Sequence, residues 1–294
     1  MTPAPMRIQA PAKLNLCLYL GPRRADGLHA LCSLFEPLAL ADAIEISAGT
    51  PAAGGGGFDE VVCAGVEGDN LAAKALAALR KAGWRSPPLR VEIEKRIPVA
   101  AGLGGGSADA AAILRLARGS AETGNEVPDL ERIAAGLGAD VPSQLSPALA
   151  LVQGAGERVE RLPAPASHAV LLLPAGGGLS TAAVFAEADR LGLGRSAEEL
   201  SDLAGRLRRV VDAGASPLDY RDLLANDLEP AALSLRPDIG DALGVLRQVG
   251  APLAFMSGSG PTAVGLFPSL TEAKSAAGLL DRDDAIVCEA GRAS

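Results

Sequence analysis

Residues 7–20 run Arg-Ile-Gln-Ala-Pro-Ala-Lys-Leu-Asn-Leu-Cys-Leu-Tyr-Leu, with Leu14, Leu16, Leu18 and Leu20 alternating with Lys13, Asn15, Cys17 and Tyr19. A period of two predicts a half-buried strand whose second face carries Lys13 and Asn15 together. Residues 89–97, Leu-Arg-Val-Glu-Ile-Glu-Lys-Arg-Ile, alternate as cleanly and predict another strand. A turn-rich loop spans 21–27, followed by an apolar stretch at 31–40 and a strand at 43–47. Further strands are expected at 169–173, 253–256, 262–267 and 285–288. Helical patterns cover 71–82, capped by Asp69 or Asn70 and closed by Gly83, and 129–137, stopped by Gly138. Helices are also expected from Ser180 or Thr181 to 191, over 196–249 with breaks near 214–217 and at Pro230 and Pro237, and over 271–280. Residues 49–57 are Gly/Ala-rich and read as a mobile hairpin tip or a loop. The pattern turns irregular and Pro-rich over 145–165, which predicts a domain boundary within 150–165. There is no internal repeat.

The strand at 89–97 feeds directly into Pro98-Val99-Ala100-Ala101-Gly102-Leu103-Gly104-Gly105-Gly106-Ser107-Ala108-Asp109, followed by an Ala-rich helical run over 108–117. Glycines let backbone N–H groups converge on one point, and a helix start adds free donors and the positive end of its dipole. The pattern suits an anion, most simply a phosphate; a plain glycine turn between strand and helix is the alternative.

With 294 residues, of which 48% are hydrophobic, the chain is long enough for two domains and a sizeable core. No apolar run is long enough to span a membrane, and the first residues lack a signal layout, so a cytoplasmic protein is expected. Cys17, Cys32, Cys63 and Cys288 are far apart, which favours buried thiols over disulfides or zinc. Two histidines, His29 and His168, leave little material for metal sites or Ser/His triads, and a net charge of −8 argues against a nucleic-acid partner. An anionic ligand must be held locally, by loops and a few cations.

Three phosphate-loop patterns fail. No lysine follows Gly106 as a Walker A element requires, Ser107 stands where a dinucleotide fingerprint needs glycine, and the H-R-D and D-F-G elements of protein kinases are absent. The form P-x-x-x-G-L-G-G-G-S-A-D-A-A resembles the nucleotide loop of the small-molecule kinases that include galactokinase, homoserine kinase, mevalonate kinase and phosphomevalonate kinase. Within that superfamily, further stretches resemble the 4-diphosphocytidyl-2-C-methyl-D-erythritol kinases. They are Pro11-Ala-Lys-Leu-Asn-Leu16, Arg24-Ala-Asp-Gly-Leu-His29, Gly138-Ala-Asp-Val-Pro142 and Ser257-Gly-Ser-Gly-Pro261, with Asp69-Asn-Leu71 and Asn226-Asp-Leu-Glu229.

The resemblance implies an α+β fold in two domains: a ribosomal-protein-S5-domain-2-like ATP-binding domain over 1–158 and a ferredoxin-like substrate-binding domain over 159–294. It implies phosphorylation of the 2-hydroxyl of 4-diphosphocytidyl-2-C-methyl-D-erythritol by ATP with Mg²⁺, in the methylerythritol phosphate route to isoprenoid and terpenoid precursors. Carried over by position, Lys13 and Asp140 are catalytic, and residues 98–108 with Asn70 and Lys95 bind ATP. Ser107 could reach a phosphate or the metal. Asn15, Leu28, His29, Thr181, Phe185, Ser257 and Gly258 face the substrate.

Opposite charges about 4 Å apart attract by roughly 4 kcal/mol at an effective dielectric near 20, so Asp140 either abstracts the hydroxyl proton early or orients the hydroxyl and takes the proton late. Asp140 also stands where a helix N-cap would. His29 could be structural or bond the cytosine or diphosphate, Phe185 could be a core residue, and 257–261 could be only a tight hairpin. One departure matters. The family usually has Asp-Gly-Tyr-His where this chain has Asp26-Gly27-Leu28-His29, and residues 143–150 also fit loosely. Losing an aromatic stack is worth on the order of 1 kcal/mol, so a kinase for another alcohol, such as homoserine, mevalonate or a sugar, is the competing reading. A nucleotide-binding module without catalysis would lack Lys13 or Asp140; both are present.

Overall fold

Strand β2 (His29–Ala48) is the spine onto which both halves of the chain are built. One edge pairs antiparallel with β1 (Met6–Arg23). The other edge is shared: residues 31–35 pair with β5 (Ala150–Gly154), Leu38 pairs with Ala290 of β10 (Ile286–Ala290), and 43–48 pair with β4 (Leu89–Glu94). β3 (Glu60–Cys63) lies parallel to β4, and β6 (Arg158–Arg161) continues from β5 as a hairpin. The computed structural model describes residues 5–49, 57–66, 70–119, 127–212 and 214–291.

In the C-terminal half, β7 (His168–Leu173), β8 (Leu253–Met256), β9 (Ala263–Phe267) and β10 form an antiparallel sheet in the spatial order β10-β7-β9-β8. Helices α5 (Thr181–Leu191), α6 (Ala197–Asp212), α7 (Glu229–Leu235) and α8 (Asp238–Gln248), with a 3₁₀ turn at Pro217–Leu223, lie between β7 and β8. Helix α9 (Leu270–Ala277) joins β9 to β10. That is the β-α-β-β-α-β order of a ferredoxin-like unit. The two-domain α+β organisation expected from the sequence is the one present.

The N-terminal helices are α1 (Leu71–Lys81), α2 (Gly105–Gly119), α3 (Leu130–Leu137) and α4 (Val141–Gln144). α1 starts where Asn70 Oδ1 accepts from the N–H groups of Ala72 and Ala73, at 2.8 and 3.3 Å. The alanine face of α2 lets it approach closely, and Ala108, Ala110–Leu114 and Ala117 are buried with Ile44, Ile46, Val91, Ile93 and Leu76. A second core joins the two sheets through Leu14, Leu34, Leu172, Val264 and Leu207. A third covers the C-terminal sheet with Val184, Leu228, Leu243 and Ala273.

Several expectations are corrected. β1 is buried on both faces from Ala10 to Gly21, because β1 runs between two cores. Its four leucines do not share a face. The register with β2 shifts between Asn15 and Cys17, so one residue is inserted there. Leu14 and Leu16 belong to the inter-sheet core, and past the bulge Cys17 and Tyr19 take that side while Leu18 and Leu20 turn to the C-terminal core. A one-residue slip exchanges the two faces of a strand, and nothing in the alternation announces it.

The irregular stretch at 145–165 contains the β5–β6 hairpin, whose short run 149–152 lacks alternation because it is buried in the sheet. Residues 31–40 and 43–47 form one continuous strand. α2 begins at Gly105, three residues before the expected 108. Of the four cysteines, all free, Cys63 is only half-buried. The Gly/Ala-rich segment at 49–57, apart from its ends, and Asp69 lie outside the described residues.

Candidate active site

Ile97, Ala101 and Leu103 are buried in the inter-sheet core and anchor the loop after β4, leaving its glycines free to turn. Gly102 and Gly104 have φ of 76° and 69°. A Cβ on Gly102 would stand 2.7 Å from Ser257 O and 2.8 Å from Gly260 O; one on Gly104 would stand 2.9 Å from Lys13 Cγ and Cε. The loop therefore lies directly against the 257–260 turn on one side and the Lys13 stem on the other, which only glycine allows. Pro98–Ser107 line a cavity of about 450 Å³, joined by Asn70, Lys95, Asp109 and Thr181. The first N–H groups of α2 open there without partners from the helix, as an anion cradle requires. Ala108 is apart from this wall: it is fully buried, and its N–H bonds Gly104 O at 2.9 Å.

Lys13 and Asp140 lie beside this cavity. Lys13 is 6% exposed. Its backbone N–H donates to Leu103 O at 3.0 Å, and its ammonium reaches Asn15 Oδ1 at 2.7 Å, Asp140 Oδ2 at 3.2 Å and Gly102 O at 3.3 Å. The Phe35 ring lies 4.8 Å from the ammonium. Asp140 occupies the N-cap position of α4, yet its side chain makes no cap bond. Its carboxylate faces Lys13 and keeps 30% exposure, open to a ligand. The segment carrying Asp140 is held from behind: Arg115 donates to Gln144 O at 2.7 Å and Arg118 to Leu145 O at 3.2 Å. A Cβ on Gly156, in the β5–β6 turn, would be 2.4 Å from Ala139 O.

The second domain closes on this pair. Ser257 Oγ accepts from the backbone N–H of Asn15 at 3.1 Å and donates to Gly102 O at 3.3 Å. The 256–258 segment is fixed by Asn226, whose amide donates to Met256 O and Gly258 O at 2.8 and 2.7 Å. A Cβ on Gly258 would be 3.0 Å from Asn15 Oδ1.

Lys95 bridges Asp42 and Asp109, the latter at 2.8 Å. Asp42 also accepts from the N–H groups of Arg96 and Ile97 at 2.6 and 2.8 Å, tying the end of β4 to the start of α2. Burial pushes the Asp109 carboxyl up to about 6, against the opposing pull of Lys95.

The remaining predicted residues divide into groups. Thr181 lines the cavity and bonds Ser259 Oγ at 2.9 Å. His29 bonds Asp189 Oδ1 at 2.8 Å and lies 5.5 Å, ring to ring, from Phe185, which packs at the margin of the C-terminal core. Leu28, 56% exposed, lines a different cavity with Arg24, Glu157 and residues 135–139. Reading the sequence missed Ser33, Phe35 and Asp42. Each is a residue of β2, and only strand pairing brings it to the site.

Residues 70–148 match the family described as GHMP kinases N terminal domain, and residues 215–280 match GHMP kinases C terminal. The 4-diphosphocytidyl-2-C-methyl-D-erythritol kinase of Streptomyces coelicolor is 40% identical over 280 residues, covering 93% of this chain and 91% of that protein. The enzyme of the same name from Paracoccus denitrificans is 42% identical over 275 residues, with 93% and 91% covered. The chain belongs to the 4-diphosphocytidyl-2-C-methyl-D-erythritol kinase family.

A crystal structure of 4-(cytidine 5'-diphospho)-2C-methyl-D-erythritol kinase superposes with a TM-score of 0.77 at 32% identity, covering 98% of this chain and 100% of that one. Homoserine kinase from Cytophaga hutchinsonii shares the fold at 18% identity and a TM-score of 0.68. As a member of the 4-diphosphocytidyl-2-C-methyl-D-erythritol kinase family, the chain is an ATP-dependent small-molecule kinase. Among its described residues, no helix is long and apolar enough to cross a membrane.

Proposed function

We propose that the chain transfers the γ-phosphoryl group of ATP to the 2-hydroxyl of 4-diphosphocytidyl-2-C-methyl-D-erythritol, giving the 2-phosphate and ADP, with Lys13 and Asp140 as the catalytic pair. The observation that carries this assignment is their 3.2 Å contact beside the glycine-lined cavity. Phosphoryl transfer spreads charge over the phosphoryl oxygens, so catalysis is positioning plus electrostatic stabilisation. The N–H groups of 98–107 and the α2 N-terminus hold the phosphates, with Asn70 and Lys95 on the nucleotide side. The Lys13 ammonium faces the charge that develops. Asp140 orients the acceptor hydroxyl and receives its proton as the new O–P bond forms and ADP leaves. Asn15, Ser257, Gly258 and Thr181 contact the acceptor, and His29, Phe185 and Leu28 the cytidine.

Mg²⁺ accompanies the nucleotide in this reading. Among the described residues no cluster of three or more His, Cys, Asp or Glu side chains is placed to hold a metal, which fits an ion that rests mainly on phosphates and water and takes one or two protein ligands. Ser107, in the cavity wall, would be such a ligand. When bound, the ion neutralises phosphate charge. Residues 1–158 form the ATP-binding unit and 159–294 the substrate unit, working in the cytoplasm in isoprenoid precursor synthesis.

A coupled ADP-release assay offered this cytidine alcohol, homoserine and mevalonate separately tests the reading. Turnover is expected with the first only, and turnover with homoserine or mevalonate alone overturns it. Asp140→Ala should abolish turnover while leaving ATP affinity within a few-fold, since no cap bond is lost.

A further inference from the structure

The bulge in β1 falls between the two residues that meet at the ammonium and the strand segment beyond them, and Ser33 of β2, paired with Leu18, lies just past it. Ser33 is fully buried. Its hydroxyl donates to the carbonyl of Cys17, the first residue back in register, and accepts from Asn15 Nδ2 at 2.8 Å. We infer that Ser33 is a positioning residue for Lys13, acting through the orientation of the Asn15 side-chain amide. This rests on the assignment of Lys13 made above.

The argument is one of donors and acceptors. A backbone carbonyl can only accept, so the single proton of Ser33 goes to Cys17 O. The lone pairs of Ser33 then face Asn15 and require an N–H from it, which places the amide nitrogen toward Ser33. The amide oxygen is thereby turned to Lys13, where it accepts from the ammonium at 2.7 Å. The ammonium has three protons and three acceptors: Asn15 Oδ1, Asp140 Oδ2 and Gly102 O. Without Ser33, the buried Asn15 Nδ2 loses its acceptor, and the amide is held toward Lys13 at one end only. Asn15 is 2% exposed, so no bulk water replaces the lost partner.

The test compares Ser33→Ala, Ser33→Thr and Ser33→Cys by steady-state ADP release. Ser33→Ala is expected to lower kcat about 10- to 100-fold, the range for losing the Asn15–Lys13 bond that it orients, a hydrogen bond to a charged group. KM for ATP and for the alcohol should stay within about threefold. Ser33→Thr, which keeps the hydroxyl, should return kcat to within about threefold of the parent. Should Ser33→Ala fail to fold, Ser33→Cys supplies the comparison, because a thiol fills the space and is a poor acceptor; the same fall in kcat is expected. A folded Ser33→Ala or Ser33→Cys with parental kcat overturns the relay, as does a Ser33→Thr as impaired as Ser33→Ala. Lys13→Met, measured alongside, separates the two levels. If it retains full turnover, the role of Lys13 itself fails; if it is inactive while Ser33→Ala is unaffected, only the relay fails.

Discussion

Replacing Gly104 with alanine probes the contact between the glycine loop and Lys13, the lysine assigned above to catalysis. At φ 69° an alanine takes up a left-handed conformation, at a cost of roughly 1–2 kcal/mol. Its Cβ would stand 2.9 Å from both Lys13 Cγ and Cε, against the ~3.5–4.0 Å of ordinary carbon contact. The lysine stem must withdraw by about 0.6–1 Å, and it is tethered at its end by bonds of 2.7, 3.2 and 3.3 Å. A misplacement of about 1 Å in a catalytic constellation costs on the order of 100-fold in rate. Gly104→Ala should therefore lower kcat about 100-fold in the ADP-release assay and lower Tm by a few degrees. Gly106→Ala is the control. Its Cβ would meet only Leu71 Cδ1 at 3.6 Å within α2, where alanine is a better helix former by roughly 0.5–1 kcal/mol, so Tm should hold or rise. A folded Gly104→Ala with kcat within threefold of the parent would refute the reasoning.

Leu28→Tyr, at a residue 56% exposed, should lower the KM for the cytidine alcohol about fivefold, the value of roughly 1 kcal/mol of stacking; an unchanged KM means that other contacts hold the base. His168 is buried against Glu36 at 3.1 Å and bonds Ala166 O at 2.8 Å. Burial alone would lower its pKa, and the Glu36 charge and these hydrogen bonds outweigh it, leaving a net rise above 6.5. The native state thus favours the protonated ring. Its contribution to stability is full below pH 6.5 and is lost as pH climbs through the raised value. In urea titrations the gap between the parent and His168→Gln should narrow above pH 6.5, and a gap independent of pH contradicts this. Gly205→Ala, inside α6 with only Arg209 Nη1 within 4 Å, at 3.6 Å, should stabilise by roughly 0.5–1 kcal/mol, read as a rise in Tm.

Much of this protein follows from local sequence alone. Asn70 before an apolar helical run, the alternation over 89–97 and the glycine run after it specify a capped helix, a strand and a strand-to-helix junction; all three are present, with the strand ending at Glu94. Lys13 and Asn15, two apart on a strand, share a face because strands have a period of two, and they touch. Caps, periods and turn residues act within a few positions, so they can be read without knowing the fold.

The rest needed partners distant in sequence. The bulge at Asn15–Cys17 is a property of the pairing with β2, and it moved Leu18 and Leu20 into a different core from Leu14 and Leu16. The β5–β6 hairpin was hidden because a strand covered on both faces loses its alternation. Asp140 stands where a helix cap would, and only the fold shows that its side chain makes no cap bond and faces Lys13 instead. Ser33 reads as one polar residue in an apolar run, and its meaning comes from the carbonyl and amide that strand pairing brings to its hydroxyl. Local sequence specifies which elements form and which residues can do chemistry. Tertiary packing decides which of them meet, because register and burial are set by contacts that no short window contains.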